Sequence, residues 1–325
     1  MKKIYLSVAL LSSFLLISAC SNNNPNEKSK ELKLKKASDH TSKLEQISLN
    51  DSFYKKLSDV KIDHIHGIGY VGNIKGLTIA THSGLNIYSD GTWYKTSKNL
   101  NDYMGFQATS DGFYSSGHPD PKSNLKNPFG IVRSLDGNKT LEKIGFYGES
   151  DFHNLSVGYN SKAIFLYNEE KNSRLDTGFY YSNDLGKSWK NVKGSGLPNT
   201  LTSFSIHPDN PNEIAMNSQE GIYYSTNSGV SFSRITPSLN ITSSVLLKDS
   251  IIYSYIKDNQ SYLEELDFTS KKTRIIPIPN LNDKNMIMYI AIDQKNSNNI
   301  SIATMESNVY TSNNFGKEWV EIVKH

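Results

Sequence analysis

The sequence predicts an all-β fold, a six-bladed β-propeller, and two observations carry that prediction. One short motif returns about every 45 residues, and the chain between copies consists of short segments in which apolar and polar side chains alternate. A fixed period of this size, with several short strands and turn residues in each unit, is the sequence mark of propeller blades. Taking the serine of the motif or its equivalent as a marker gives positions 89, 134, 182, 225, about 268 and 312, separated by 45, 48, 43, 43 and 44 residues. Six markers imply six blades, at about 60–100, 101–148, 149–196, 197–236, 237–280 and 281–325.

The segment ahead of the blades has a different character. Lys2 and Lys3 precede an apolar run over 4–17, followed by Ser18, Ala19 and Cys20. A short basic region, an apolar stretch too brief to span a bilayer comfortably and small residues before a cut describe an export signal over 1–19. The ending "LISAC" is similar to the bacterial lipobox, whose cysteine becomes the lipidated first residue of the mature protein. Cys20 is the chain's single cysteine, so no internal disulfide can form. Two acyl chains anchor durably where one is marginal, so the protein is expected outside the cytoplasm, held on the cell membrane as a lipoprotein. Residues 20–58 are expected to be the lipidated cysteine and a tether. Over 21–45 the chain is polar, lysine-rich and too poor in apolar side chains to fold. "QISLNDSFYKKLS" at 46–58 suits either a closing strand or a short helix, and its pattern does not choose.

The motif copies are "YSNDLGKSW" at 181–189, "YSTNSGVSF" at 224–232 and "YTSNNFGKEW" at 310–319, with shorter versions in "RSLDGNKTL" at 133–141 and "YSDGTW" at 88–93. "LDFTSKKTRI" at 266–275 stands where a degenerate copy would fall. Within the fourth unit, "LTSFSIHP", "NEIAMNSQ", "GIYYST" and "SFSRIT" alternate as half-buried strands should. The motif resembles the Asp-box or BNR repeat, S-x-D-x-G-x-x-W, of sialidases, sortilin-type receptors and several bacterial propellers. That resemblance implies a hairpin turn at the blade periphery, so Asp136, Asp184, Gly186, Trp189, Gly229, Gly316 and Trp319 are expected to be structural. Residues 60–325, with "HIHGIGY", "ATHSGLNIYSDGTW", "FYSSGHPDP", "NPFGIVRSLDG" and "GESDFHNLSV", also look like secreted bacterial BNR-repeat proteins described as glycosyl-hydrolase-like.

In a propeller the start of each first strand and the loop after each second strand share one face around the central channel. His64 and His66 start the first strand of blade 1, and His82 follows its second. His118 holds the matching place in blade 2, and His153 begins the first strand of blade 3. Five of the eight histidines are thus expected on one face of three adjacent blades, while the matching "NSQEG" and "TMESN" of later blades carry none. His40 lies in the tether, His207 in a turn and His325 at the end. Neutral imidazole is the commonest ligand of zinc, copper, iron and nickel, and residues at i and i+2 of a strand point the same way. Met104, at the first-strand start of blade 2, would favour copper because soft ligands select Cu(I). Asp63, Glu149 and Asp151, with Asp102 and Asp120 nearby, could orient the imidazole N–H groups.

Three functions fit these residues. The first is a metal-binding propeller using copper or zinc, not an enzyme. The second is a glycoside hydrolase; sialidase activity is disfavoured because its carboxylate clamp needs clustered arginines and this chain has four dispersed ones, leaving paired carboxylates such as Asp63 with Glu149 or Asp151. The third is a scaffold that binds a protein or glycan partner on the same face. Net charge of +3 sits largely in the signal and tether, so no nucleic-acid partner is expected, and the protein is expected to be a monomer. Glycine-rich phosphate loops, G-x-S-x-G elbows and H-E-x-x-H helices are absent from the sequence.

Overall fold

The computed structural model describes residues 45–62, 64–282 and 285–324. The signal, Cys20, the tether up to residue 44 and Asp63 lie outside the described residues. Strand β1 (Tyr54–Leu57) is followed by blade 1, made of β2 (Ile65–Gly69), β3 (Leu77–Thr81), β4 (Gly84–Ser89) and β5 (Thr92–Thr96). Blade 2 contains β6 (Asp102–Thr109), β7 (Gly112–His118), β8 (Ile131–Ser134) and β9 (Glu142–Gly145), and blade 3 contains β10 (Leu155–Val157), β11 (Ile164–Asn168), β12 (Gly178–Ser182) and β13 (Lys190–Val192). Blade 4 is β14 (Leu201–Ile206), β15 (Ile214–Ser218), β16 (Gly221–Ser225) and β17 (Ser233–Arg234). Blade 5 is β18 (Asn240–Leu246), β19 (Ser250–Lys257), β20 (Gln260–Asp267) and β21 (Thr273–Ile275). Blade 6 is β22 (Ile287–Ile292), β23 (Ile300–Thr304), β24 (Val309–Ser312) and β25 (Val320–Val323). The architecture is an all-β propeller of six blades, each an antiparallel sheet built from consecutive strands.

The first strand of each blade contacts the first strands of its neighbours, and β22 returns to β2, which closes the ring. Six apolar clusters fill the six seams between blades. Ile68, Leu77, Ile79 and Trp93 of blade 1 meet Ala291, Ala303, Val309 and Val323 of blade 6 in the closing seam. Across that seam the Tyr70 hydroxyl bonds Ser301 Oγ at 2.7 Å. Among the described residues the ring therefore closes on side chains, with no strand exchanged between blades 1 and 6.

Second strands depart from the expected alternation. β3, β15 and β23 are buried at every residue, because a neighbouring blade covers each face. Some of their small polar groups are satisfied, as where Asn217 Nδ2 donates to Ser203 Oγ at 2.8 Å, while Thr78 Oγ1 and Asn217 Oδ1 are buried without a partner. Interiors this dry tolerate a polar side chain when it has a partner.

Within residues 46–58, Tyr54–Leu57 forms a strand rather than a helix, so the end of the segment assigned to the tether packs on blade 1. β1 adds a fifth, outermost strand to blade 1, pairing Tyr54 with Thr96 and Leu57 with Trp93. Tyr54 is buried and its hydroxyl donates to Gly137 O of blade 2 at 2.8 Å. The segment thereby ties blade 1 to the recurring turn of blade 2.

That turn has the same bonding in several blades. Asp184 Oδ1 accepts the Ser188 N–H at 2.9 Å and Oδ2 accepts the Ser188 hydroxyl at 2.6 Å, while the Gly186 N–H donates to Ser182 Oγ. The Ser188 hydroxyl and N–H hold the Asp184 carboxyl down at about 2. Asp136, Asn227 and Asn314 take the same place in blades 2, 4 and 6. Leu185 and Gly186 both have positive φ, 61° and 79°, and such a pair of left-handed residues is where glycine costs least. Trp189 packs on Phe146 and Trp319 Nε1 donates to Pro277 O, so both tryptophans brace neighbouring chain.

Tyr54→Phe removes one hydrogen bond and is expected to cost about 1 kcal/mol of stability. Tyr54→Ala also empties a packed aromatic site and is expected to cost ~3–5 kcal/mol. Urea unfolding of both variants measures this; wild-type stability in Tyr54→Ala would show that β1 is dispensable.

Candidate metal centre

The inner strands carry a repeated irregularity that sets the site. In blade 1, Ile65 pairs with Thr81 and Gly67 with Ala80, so His66 is the extra residue of a β-bulge. Thr202, Thr242 and Met288 are the extra residues at the same place in blades 4, 5 and 6. A bulge kinks its strand and re-aims the unpaired side chain. In blade 1 the re-aimed side chain is an imidazole. Blade 2 has a longer irregularity between Met104 and Gln107. It includes Gly105 at φ +53°, where an added Cβ would lie 2.5 Å from Phe152 O. Glycine there lets β6 run against the loop that carries Asp151 and His153.

These elements bring four groups together at one mouth of the ring. Ligand atoms of His64, His66 and His82 all lie within 4.8 Å of one another. His66 Nε2 is 3.1 Å from His82 Nδ1, and the Asp102 carboxylate, at the start of β6, lies 3.1 Å from the first nitrogen and 3.0 Å from the second. The His64 ring stacks on His82 at 4.9 Å between centroids. Ligands held ~2.0–2.1 Å from a single ion in a tetrahedron are ~3.3 Å apart, so these spacings suit donors arranged round one cation. His66 and His153 also line a central cavity of about 380 Å³ whose walls are the inner strands of all six blades.

The environment favours a neutral ligand at the base of the group. The His66 side chain is 8% exposed whereas that of His82 is 48% exposed. Burial pushes the His66 pKa down to about 4 against the pull of Asp102, and the other histidines push the same way. The imidazole is therefore unprotonated at neutral pH, the form that binds metal. Asp102 Oδ1 is a buried oxygen with no well-aligned hydrogen bond, which leaves its charge for a cation to balance.

His118 and His153 stand beside this group around a second carboxylate. His118 ends β7 directly opposite Asp102. Its Nε2 lies 3.2 Å from Asp151 Oδ2, and His153 Nδ1 lies 3.4 Å from the same oxygen. Burial raises the Asp151 pKa, and the two imidazoles oppose it. All five of the selected histidines thus gather on three adjacent blades around Asp102 and Asp151.

Other selected residues stand elsewhere. Glu149 accepts the Ser173 N–H at 2.9 Å in a blade 3 turn and orients no imidazole. Asp120 accepts the Lys122 N–H within its own turn. Met104 is half-buried on β6, and the Ser115 hydroxyl donates to its carbonyl oxygen. His207 is structural: its Nδ1 accepts the N–H groups of Asp209 and Asn210, and Nε2 donates to Lys248 O. Sequence reasoning missed Asn127, whose Oδ1 sits 2.7 Å from His118 Nδ1. Nothing in the residues "KNPFG" marks it, because it is the chain's return path from β7 that places it there. The four arginines are engaged locally, Arg133 with Glu142, Arg174 with Lys187 O, Arg234 with Glu220 O and Arg274 with Glu265, so they form no common clamp.

No protein-family model matches the sequence, and no curated protein matches it. Solved structures share the fold. The GH74 xyloglucanase of Xanthomonas campestris aligns with 83% of this chain and 46% of its own, at a TM-score of 0.52 and 15% identity. A GH74 enzyme of Niastella koreensis gives the same figures. A chain of the nidogen–laminin complex aligns with 76% of this chain and 93% of its own, at a TM-score of 0.53 and 10% identity. The chain spans less than half the length of those GH74 enzymes, and at these identities the likeness is one of fold.

Proposed function

We propose that this protein is an extracytoplasmic lipoprotein, anchored through Cys20, whose propeller binds a transition-metal ion with His64, His66, His82 and Asp102. The observation that carries the reading is the convergence of His66 Nε2 on the bulge of β2, His82 Nδ1 in the turn after β3 and the Asp102 carboxylate at the start of β6, 3.0–3.1 Å from one another. Three imidazoles and a carboxylate form a nitrogen-rich, borderline donor set that suits zinc and Cu(II). The GH74 likeness supports the scaffold, and the four arginines, each engaged locally, argue against a sialidase-type carboxylate clamp.

Calorimetric titration of the full chain, stripped with chelator, with zinc and with copper tests the proposal. The tightest binding step is expected in wild type and is expected to weaken at least 100-fold in His66→Ala/His82→Ala; equal binding by the two proteins would refute it. As a control, His207→Ala strands the N–H groups of Asp209 and Asn210. It should lower stability by about 1–3 kcal/mol yet leave the metal isotherm unchanged.

A further inference from the structure

Below the histidine mouth, the central channel of the ring has the size and lining of a ligand pocket. Its cavity of about 380 Å³ runs from the starts of the first strands, where His66 and His153 line it, to their far ends at Tyr70, Tyr159 and Gln294. That is the volume of about a dozen water molecules at ~30 Å³ each, and it falls at the small end of the range in which proteins hold small molecules. We propose that the channel binds a neutral, hydroxyl-rich small molecule of the size of a mono- or disaccharide.

The lining rules out charge. Among the described residues no carboxylate, ammonium or guanidinium side chain borders the cavity, and the only ionisable groups besides tyrosines are the two imidazoles at its upper end. An ionised ligand would give up its water there and find no counter-charge.

An apolar ligand fits no better. Gln107, Ser243, Tyr289 and Gln294 border the cavity, and their side chains have no hydrogen-bond partner among the described residues. Tyr159 adds a hydroxyl that is buried and equally unpartnered. Other hydroxyls on the same lining are satisfied within the fold, Tyr70 by Ser301 and Thr242 by Ser254. Buried polar groups are hydrogen-bonded as a rule, and an apolar molecule would displace water from the unpartnered ones and offer nothing in exchange.

The unpartnered groups share one property that selects the ligand. Each of the two amides carries both N–H donors and a carbonyl acceptor, and each of the three hydroxyls donates and accepts through one oxygen. The complementary molecule is one whose own groups also do both, which describes the hydroxyls of a sugar or polyol. Phe204 and Tyr289 border the same cavity with aromatic surface, against which the C–H faces of such a ring can pack. A free sugar and a cyclic polyol present this chemistry alike.

The test is calorimetric titration of the metal-free full chain with D-glucose, sucrose and myo-inositol, and with D-glucuronate as a charged counterpart. At least one of the three neutral compounds is expected to bind, and to bind more tightly than glucuronate. Tyr159→Phe and Gln107→Leu each remove polar atoms that make no bond within the fold. Both are expected to weaken that binding about 10-fold, the loss of one good hydrogen bond, while thermal unfolding stays unchanged. No binding of any neutral compound by wild type would overturn the proposal, as would binding that is equal in both variants or tighter for glucuronate. Because the titration is made without metal, its failure leaves the metal reading untouched.

Discussion

Everything in this molecule depends on the apolar seams between blades. No blade can bury both faces of its sheet alone, and each of the six seams holds a cluster drawn from two neighbours. The closing seam is the critical one, because among the described residues the ring there is held by side chains such as Ile79 and Ala303 rather than by a shared strand. Packing at close to crystalline density makes such a ring stiff. Stiffness in turn fixes the inner strands, and so the positions of side chains from different blades, to the precision a metal site needs.

The site uses what the scaffold leaves over. A bulge recurs at the top of the inner strand in four blades, carrying His66, Thr202, Thr242 or Met288. Only in blade 1 does it present an imidazole, while the ends of first and second strands and the adjoining loops of blades 1 to 3 supply the remaining histidines and both carboxylates. Buried carboxylate oxygens without hydrogen bonds are costly to a fold. Asp102 and Asp151 each have one. Each of the two carboxylates is met by imidazoles at 3.0–3.4 Å.

How much of this could be read from the sequence follows from where the information lies. Blade number was legible because the turn around Asp184, Asn227 and Asn314 needs the same polar and glycine residues every time. The gathering of five histidines was legible because strand order places first-strand starts and second-strand ends on one face. Their division was not, since it depends on which carboxylate lies between which rings, and Asp102 looked no different in sequence from Asp120 or Glu149. The bulge at His66 leaves no periodic trace. β1 was ambiguous because "YKKL" is too short to show a period, and its strand character comes from the open edge of β5 beside it. The all-buried second strands likewise reflect neighbours that one blade's sequence cannot announce.

Anomalous X-ray scattering at the zinc absorption edge, from crystals of the zinc-equilibrated protein, tests the central claim most directly. The account predicts a strong peak ~2.0–2.2 Å from His66 Nε2, His82 Nδ1 and an Asp102 oxygen. Peaks confined to surface carboxylates such as those of the blade-edge turns, with none at His66, would contradict it.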